Sequence, residues 1–250
     1  MDYGVFPDQN KPYVTLAGAK KTIPDRYKED EYSVALTKAL DELCVMLATK
    51  SYVNEAGDAV DLRRIGIDSG WGTESMTVYN FCRRSSYKHL LWATKGFGSS
   101  PVKRPLVDPE KKREPRSSLA GQWKFSKNRS GSNLLIYDTN KWKTLVDNAL
   151  RLPSSSSSAL TLFNGKVGGR TPNHIMYAEQ MTSEKSAILE SGSRKIEAWT
   201  VAPHKDNHLF DCTVGCFVLA NVLGAEIQTT RNVAGLSQRP KKQRRGWRIV

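Results

Sequence analysis

Three aspartates stand at the ends of apolar elements, where carboxylate chemistry would be found. Asp68 closes the run Arg63-Arg64-Ile65-Gly66-Ile67-Asp68, and Asp138 closes Leu134-Leu135-Ile136-Tyr137-Asp138. Asp211 follows Leu209-Phe210 at the start of an apolar segment. In α/β folds, sites gather outside the carboxyl ends of the strands. Carboxylates brought together there repel one another unless a hard cation lies between them. Mg2+ or Mn2+ accepts such oxygen ligands and keeps part of its water shell. Ions held this way can activate water and stabilise a leaving oxygen in phosphodiester hydrolysis. Each aspartate also has a plainer use: a turn at Asp68-Ser69-Gly70, a helix cap at Asp138, a complement to a helix dipole at Asp211. His208, one turn before Asp211, shares its helix face and is either a metal ligand, a supporting partner or an interface histidine.

Other chemistries are excluded by what the chain lacks. There is no G-x4-G-K-[ST] loop; Gly18-Ala19-Lys20-Lys21-Thr22 lacks both the earlier glycine and a preceding strand, so the chain should not hydrolyse ATP by itself. Neither a G-x-S-x-G elbow nor an H-E-x-x-H helix occurs. Cys44, Cys82, Cys212 and Cys216 form no C-x2-C pair and sit in apolar patterns, which reads as buried free thiols in a reducing compartment. Cys212 and Cys216 share a helical spacing that could take a soft metal, but they lack a His or Cys partner run nearby. No apolar run approaches the roughly 20 residues of a bilayer span, and no signal peptide is visible, so a membrane or secreted role is not expected.

The formal net charge is +13 and unevenly placed. Arg231, Arg239, Lys241, Lys242, Arg244, Arg245 and Arg248 fill the last stretch with no acidic residue among them, and a second basic stretch runs from Lys103 to Arg129. Clustered positive charge binds a polyanion through counterion release, without sequence selectivity. Nucleic acid is the expected partner, with Lys103, Arg104, Lys241, Lys242, Arg244 and Arg245 on its phosphates.

The elements that must position these groups follow from periodicity. Residues 1–28 read as an irregular lead-in, 29–225 as one folded domain and 226–250 as a basic flexible tail. Leu36, Leu40, Leu43, Cys44 and Leu47 recur at helical spacing and predict a helix over 29–52. A polar loop covers 54–61, and a strand 63–68. Thr73 is a possible cap for a helix over 73–84, where strand remains an alternative. A strand at 89–94 precedes a long, mobile, basic loop over 99–132. A strand at 133–137, a helix at 141–152, a serine connector at 154–158 and a short strand at 159–163 come next. The chain closes with a helix over 177–191, a strand over 195–201 and an apolar helix over 209–223. Alternating strands and helices predict an α/β sandwich whose sheet is largely parallel.

Several short pieces, in collinear order, resemble the nuclease half of large terminase subunits from lambda-type tailed phages. They are Ile67-Asp68-Ser69-Gly70, Val78-Tyr79, Arg83-Arg84, Lys95-Gly96 with Pro101-Val102, and Tyr137-Asp138-Thr139-Asn140-Lys141. Glu179-Gln180-Met181-Thr182-Ser183-Glu184, Trp199 and Asn207-His208-Leu209-Phe210-Asp211-Cys212 complete the set, which spans roughly residues 1–225. The resemblance implies an RNase H-like central mixed sheet flanked by helices, and acidic residues holding Mg2+ or Mn2+. It implies a nuclease that cuts concatemeric double-stranded viral DNA in the cytoplasm of the infected host. A terminase ATPase domain, the small terminase subunit and the portal are the implied partners. By position, Asp68 and Asp211 resemble metal-binding catalytic acids, His208 lies beside the second, and Asp138 matches a further family aspartate. Lys95, Lys141 and Glu184 fall in the matched motifs, with DNA contact or structural support as competing roles. The family also carries an acid on an upstream strand hairpin. Met1-Asp2-Tyr3-Gly4 resembles the end of that hairpin's last strand, so the hairpin is expected to be missing, with weaker metal binding unless another chain supplies the acid.

Overall fold

The computed structural model describes residues 3–7, 22–54, 56–101, 106, 122–128, 131, 133–156, 158–162 and 174–225. Within the stretch expected to be irregular, Thr22 and Asp25 form a reciprocal capping box that opens helix α1 (Ile23–Tyr27), with Pro24 in its first turn. Helix α2 (Tyr32–Thr49) buries Ala35, Leu36, Ala39 and Cys44 along one stripe. The loop expected after it contains a small antiparallel pair, β1 (Tyr52–Val53) and β2 (Ala59–Val60).

The central sheet has four strands. β3 (Ile65–Asp68) pairs in parallel with β4 (Leu91–Phe97), and β4 in parallel with β6 (Asn133–Asp138). β5 (Trp123–Lys127) lies antiparallel on the far side of β6, giving the order β3-β4-β6-β5. Between β3 and β4 runs α3 (Ser75–Arg84), entered through a turn of 3-10 helix at Gly72–Glu74. Thr73 does not cap α3; Ser75 Oγ instead donates to Ser69 O at 2.7 Å, tying the helix start to the strand end. After β6 come α4 (Thr139–Arg151), α5 (Ile175–Met181), β7 (Glu184–Ser191), β8 (Arg194–Val201) and α6 (His208–Val222). β7 and β8 form a separate two-stranded hairpin.

Alternation along β6 divides the core. Leu134 and Ile136 pack with Val78, Tyr79, Ala93 and Ile67 beneath α3. Leu135 and Tyr137 face the other way, into Trp142, Val146, Tyr177, Phe210, Val214 and Val218 from α4, α5 and α6. Trp142, Val146, Val214 and Val218 are fully buried, each contributing roughly 1.5–3 kcal/mol in removed apolar surface. The sheet therefore lies between α2–α3 on one face and α4–α6 on the other.

Further sequence expectations are corrected. The helix expected over 177–191 is α5 followed by β7: Ser183 folds its hydroxyl back on Gln180 O at 2.8 Å as α5 ends, and the next eight residues pair with β8. The basic loop over 99–132 contains β5, whose alternating Trp123-Lys124-Phe125 places two rings edge to face. No strand forms over 159–162; Leu160 and Leu162 pad the α4 side of the core as irregular chain. Tyr3–Val5 are not in a strand either. Tyr3 stacks on Tyr177 and its hydroxyl lies 2.7 Å from His174 Nδ1.

Candidate active site

Parallel pairing puts the carboxyl ends of β3, β4 and β6 on one edge of the sheet, and the register sets how far apart their residues lie. Asp68 is opposite Thr94, whereas Asp138 is opposite Phe97, three residues further along β4. With about 3.3 Å of rise per residue and two strand spacings of about 4.8 Å, the Asp68 and Asp138 backbones are roughly 14 Å apart. Two aspartates cannot bridge that through one ion with oxygen ligands at about 2.1 Å.

Asp138 is 3 % exposed and already committed. Its Oδ1 accepts the Lys141 N–H at 3.2 Å, capping α4, and its Oδ2 accepts the Ser99 hydroxyl at 2.5 Å. Asn140 reinforces this corner, donating from Nδ2 to Ser99 O at 3.0 Å and accepting the Trp199 N–H at 3.1 Å. The hairpin of β7 and β8 docks here. A cavity of about 480 Å³ opens between them, lined by Ser99, Asp138, Asn140, Lys141, Arg194 and Glu197 among others.

Asp68 has a different setting. It shares its strand face with Gly66, two residues back, and that is the face α6 covers. A Cβ on Gly66 would lie 2.9 Å from Leu219 Cδ1 and 3.2 Å from Thr94 Cγ2, so the glycine is what lets α6 come this close. Leu219 is two turns beyond Asp211, so the contact at Gly66 brings the start of α6 towards the end of β3. Asp68 is exposed at the strand end, yet neighbours crowd its carboxylate, and its pKa is raised. Burial is the largest cause, opposed by the Gly70 N–H bond at 3.2 Å; the negative charge of Asp211 raises it further and Lys95 pulls it down. The Tyr137 phenol is likewise raised, by burial first and then by Asp68 and Asp211 together. Asp68 thus feels Asp211, and Tyr137 feels both acids, which marks where β3 and α6 converge.

The start of α6 is held by side chains rather than by its own cap. Asn207 makes no side-chain cap bond and instead donates to Glu184 Oε1 at 2.6 Å. Gln180 Oε1 takes the Leu209 N–H at 2.8 Å, and Tyr177 Oη lies 3.0 Å from Thr213 Oγ1. Lys143, 6 % exposed on α4, joins Glu184 Oε1 and, at 2.9 Å, Asp211 Oδ1. Its Nζ lies 5.3 Å from the centre of the Phe210 ring. Removing one partner of a buried ion pair of this kind costs about 3–5 kcal/mol, because the other charge is left uncompensated. The Asp211 side chain remains 46 % exposed, with its outer oxygen available.

The other sequence-selected residues lie around this pair or outside the described residues. His208, the first residue of α6, is exposed, and its Nε2 is 3.7 Å from Asp206 Oδ1. Lys95 is exposed near the end of β4, and Lys141 is exposed in the first turn of α4. Lys103, Arg104, Lys241, Lys242, Arg244 and Arg245 fall outside the described residues. Cys44 is buried as expected, whereas Cys212 and Cys216 lie on an exposed face of α6, and all four thiols are free.

Among the described residues no three His, Cys, Asp or Glu side chains cluster closely enough to hold a metal. Asp68 and Asp211 nonetheless fit a hard cation by donor type, since Mg2+ is commonly bound by one or two carboxylates and completes its shell with water and substrate phosphates. Lys143 has no part in the sequence reading, and Asn207 enters it only as the first residue of the matched piece that contains Asp211. The usable signal was Lys143 itself, in the buried stripe with Trp142, Val146 and Ala149, where a charge requires a counter-ion.

A mixed parallel and antiparallel sheet flanked by helices, with acids from a strand end and a helix start drawn together, is consistent with the RNase H-like class of α/β folds. Residues 23–232 match the family model for the terminase large subunit gpA, endonuclease domain, and the chain belongs to that family. No curated protein and no solved structure matches it.

Proposed function

We propose that the chain is a divalent-metal-dependent endodeoxyribonuclease that cuts concatemeric double-stranded viral DNA during packaging. The observation that carries this is the approach of Asp68, at the end of β3, to Asp211, in the first turn of α6, inside a chain of the terminase endonuclease family. Mg2+ or Mn2+ would supply an activated water and stabilise the leaving oxygen. Asp68 and Asp211 bind and orient that ion, and Asp68 is pinned for it by the Gly70 N–H. Lys95 and Lys141, exposed at the carboxyl ends of β4 and β6, lie where a phosphate backbone would pass. The basic segments around Lys103 and Lys241 add affinity that falls steeply with salt. Asp138 serves as the cap of α4 rather than as a ligand.

The expected setting is the cytoplasm of the infected host, with a terminase ATPase domain, the small terminase subunit and the portal as partners. Plasmid nicking in Mn2+ tests the proposal. The chain should nick, and Asp68→Asn or Asp211→Asn should abolish nicking while circular dichroism stays unchanged. Nicking unaffected by either substitution would remove the site assignment. Salt-sensitive DNA binding with no cutting at any metal concentration would recast the chain as a packaging-assembly module.

A further inference from the structure

The acid pair offered to a metal already has a cation beside it. Lys143 Nζ lies 2.9 Å from Asp211 Oδ1 and also contacts Glu184 Oε1. Glu184 is 5 % exposed, and its two oxygens are unequally served. Oε1 takes both Lys143 and the Asn207 amide, while Oε2 is buried with no hydrogen-bond partner. A buried carboxylate oxygen left unpaired is costly. Lys143, with three donors on a flexible stem, is already bound to the other oxygen of the same group.

Resting on the metal-dependent reading above, we infer that Lys143 is a resident counter-ion: it neutralises Asp211 when no divalent ion is bound and withdraws onto both oxygens of Glu184 when one arrives. The unpaired Oε2 is the vacant half of its second position. The Phe210 ring, whose centre is 5.3 Å from the ammonium, already offers it a cation–π partner where it stands. Lys143 is therefore a positioning residue that competes with the metal for Asp211, and Glu184 is the reserve anion that makes the competition losable.

Two opposing effects decide the sign of its removal. Lys143 orders the Asp211 side chain, but α6 is already fixed by the fully buried Val214 and Val218. Repulsion between an ammonium and a divalent ion sharing one carboxylate is the larger effect, since it acts at contact distance and the ammonium is itself buried.

The test is Mn2+ affinity of the full chain without DNA, read from the free-ion electron paramagnetic resonance signal. Lys143→Met should bind Mn2+ about tenfold tighter, because Asp211 is released. Glu184→Gln should bind it several-fold more weakly, because Lys143 has lost its alternative partner. Opposite signs are the signature; two variants that both weaken binding, or both leave it unchanged while the parent chain binds, overturn the inference and leave the metal-dependent reading standing. Should Lys143→Met fail to fold, K143M/E184Q is compared with E184Q: tighter binding by the double variant supports the inference, and equal or weaker binding overturns it. No Mn2+ binding by any protein, the parent included, overturns both.

Discussion

Asp68 and Asp138 end the two strands that flank β4, and their surroundings could hardly differ more. Asp138 is buried, with one oxygen on the first turn of α4 and the other on Ser99. Asp68 stands open at the sheet edge, held by backbone N–H groups and pressed by the charge of Asp211. A carboxylate with both oxygens engaged by the fold serves the fold. One that is crowded by another acid and still reaches solvent keeps lone pairs for a ligand, and on that ground we propose Asp68 as part of a site.

The sharpest way to break this contrast is to neutralise each acid in turn. Asp211→Asn and Asp68→Asn should each lower Mn2+-dependent nicking by at least about a hundredfold, the scale of losing a charge-stabilising group at a reacting phosphate. Asp138→Asn should leave the nicking of folded protein nearly unchanged. A comparable loss on substituting Asp138 would erase the distinction.

Next in size is the contact that brings the two acids together. Gly66→Ala places a methyl 2.9 Å from Leu219, so either the leucine turns aside or α6 moves out. We expect a stability loss of about 1–3 kcal/mol in urea unfolding, typical of overpacking, together with reduced nicking. Full activity and stability would show that the approach of α6 to β3 is not what sets the site.

Asp138→Ala should cost about 1–2 kcal/mol of stability, the usual cost of losing an N-cap, with nicking per folded molecule retained. An unchanged unfolding midpoint would contradict its capping role.

The subtlest effect is in pH. Burial, and then Asp211, raise the pKa of Asp68, so the folded chain holds that proton more tightly than the unfolded one. Ionised Asp68 therefore weighs against folding in full above its folded-state value. The penalty shrinks as pH falls from there to the ordinary carboxylate value, below which it is gone. Asp68→Asn should be more stable than the parent at neutral pH, with the gain fading on acidification; a gain that persists into strong acid would point to a cause other than the carboxylate.

The sequence was a good guide to strands that end in an aspartate and a poor one to what lay between them. β3, β6 and α6 are legible because an apolar run bounded by Asp and Gly or by polar residues has few other structures open to it. β5 went unseen because its alternation, Trp123-Lys124-Phe125, sits in a stretch dominated by basic residues. The hairpin of β7 and β8 was misread although Gly192-Ser193, with Gly192 at φ 59°, is a two-residue turn that such hairpins favour. Ile188 and Leu189 are adjacent and exposed, so no period favoured strand over helix there. Within the site, Asp68 and Asp211 were visible as types at element ends. The roles of Lys143 and Asn207 were not, because they lie in one shared partner, Glu184, 41 residues from the first and 23 from the second, a fact of packing alone.

Diffraction from crystals soaked in Mn2+ tests the central claim most directly, through the anomalous signal of the ion. One peak in contact with carboxylate oxygens of both Asp68 and Asp211 is the expected result. A peak bound elsewhere, or on either acid without the other, would contradict it.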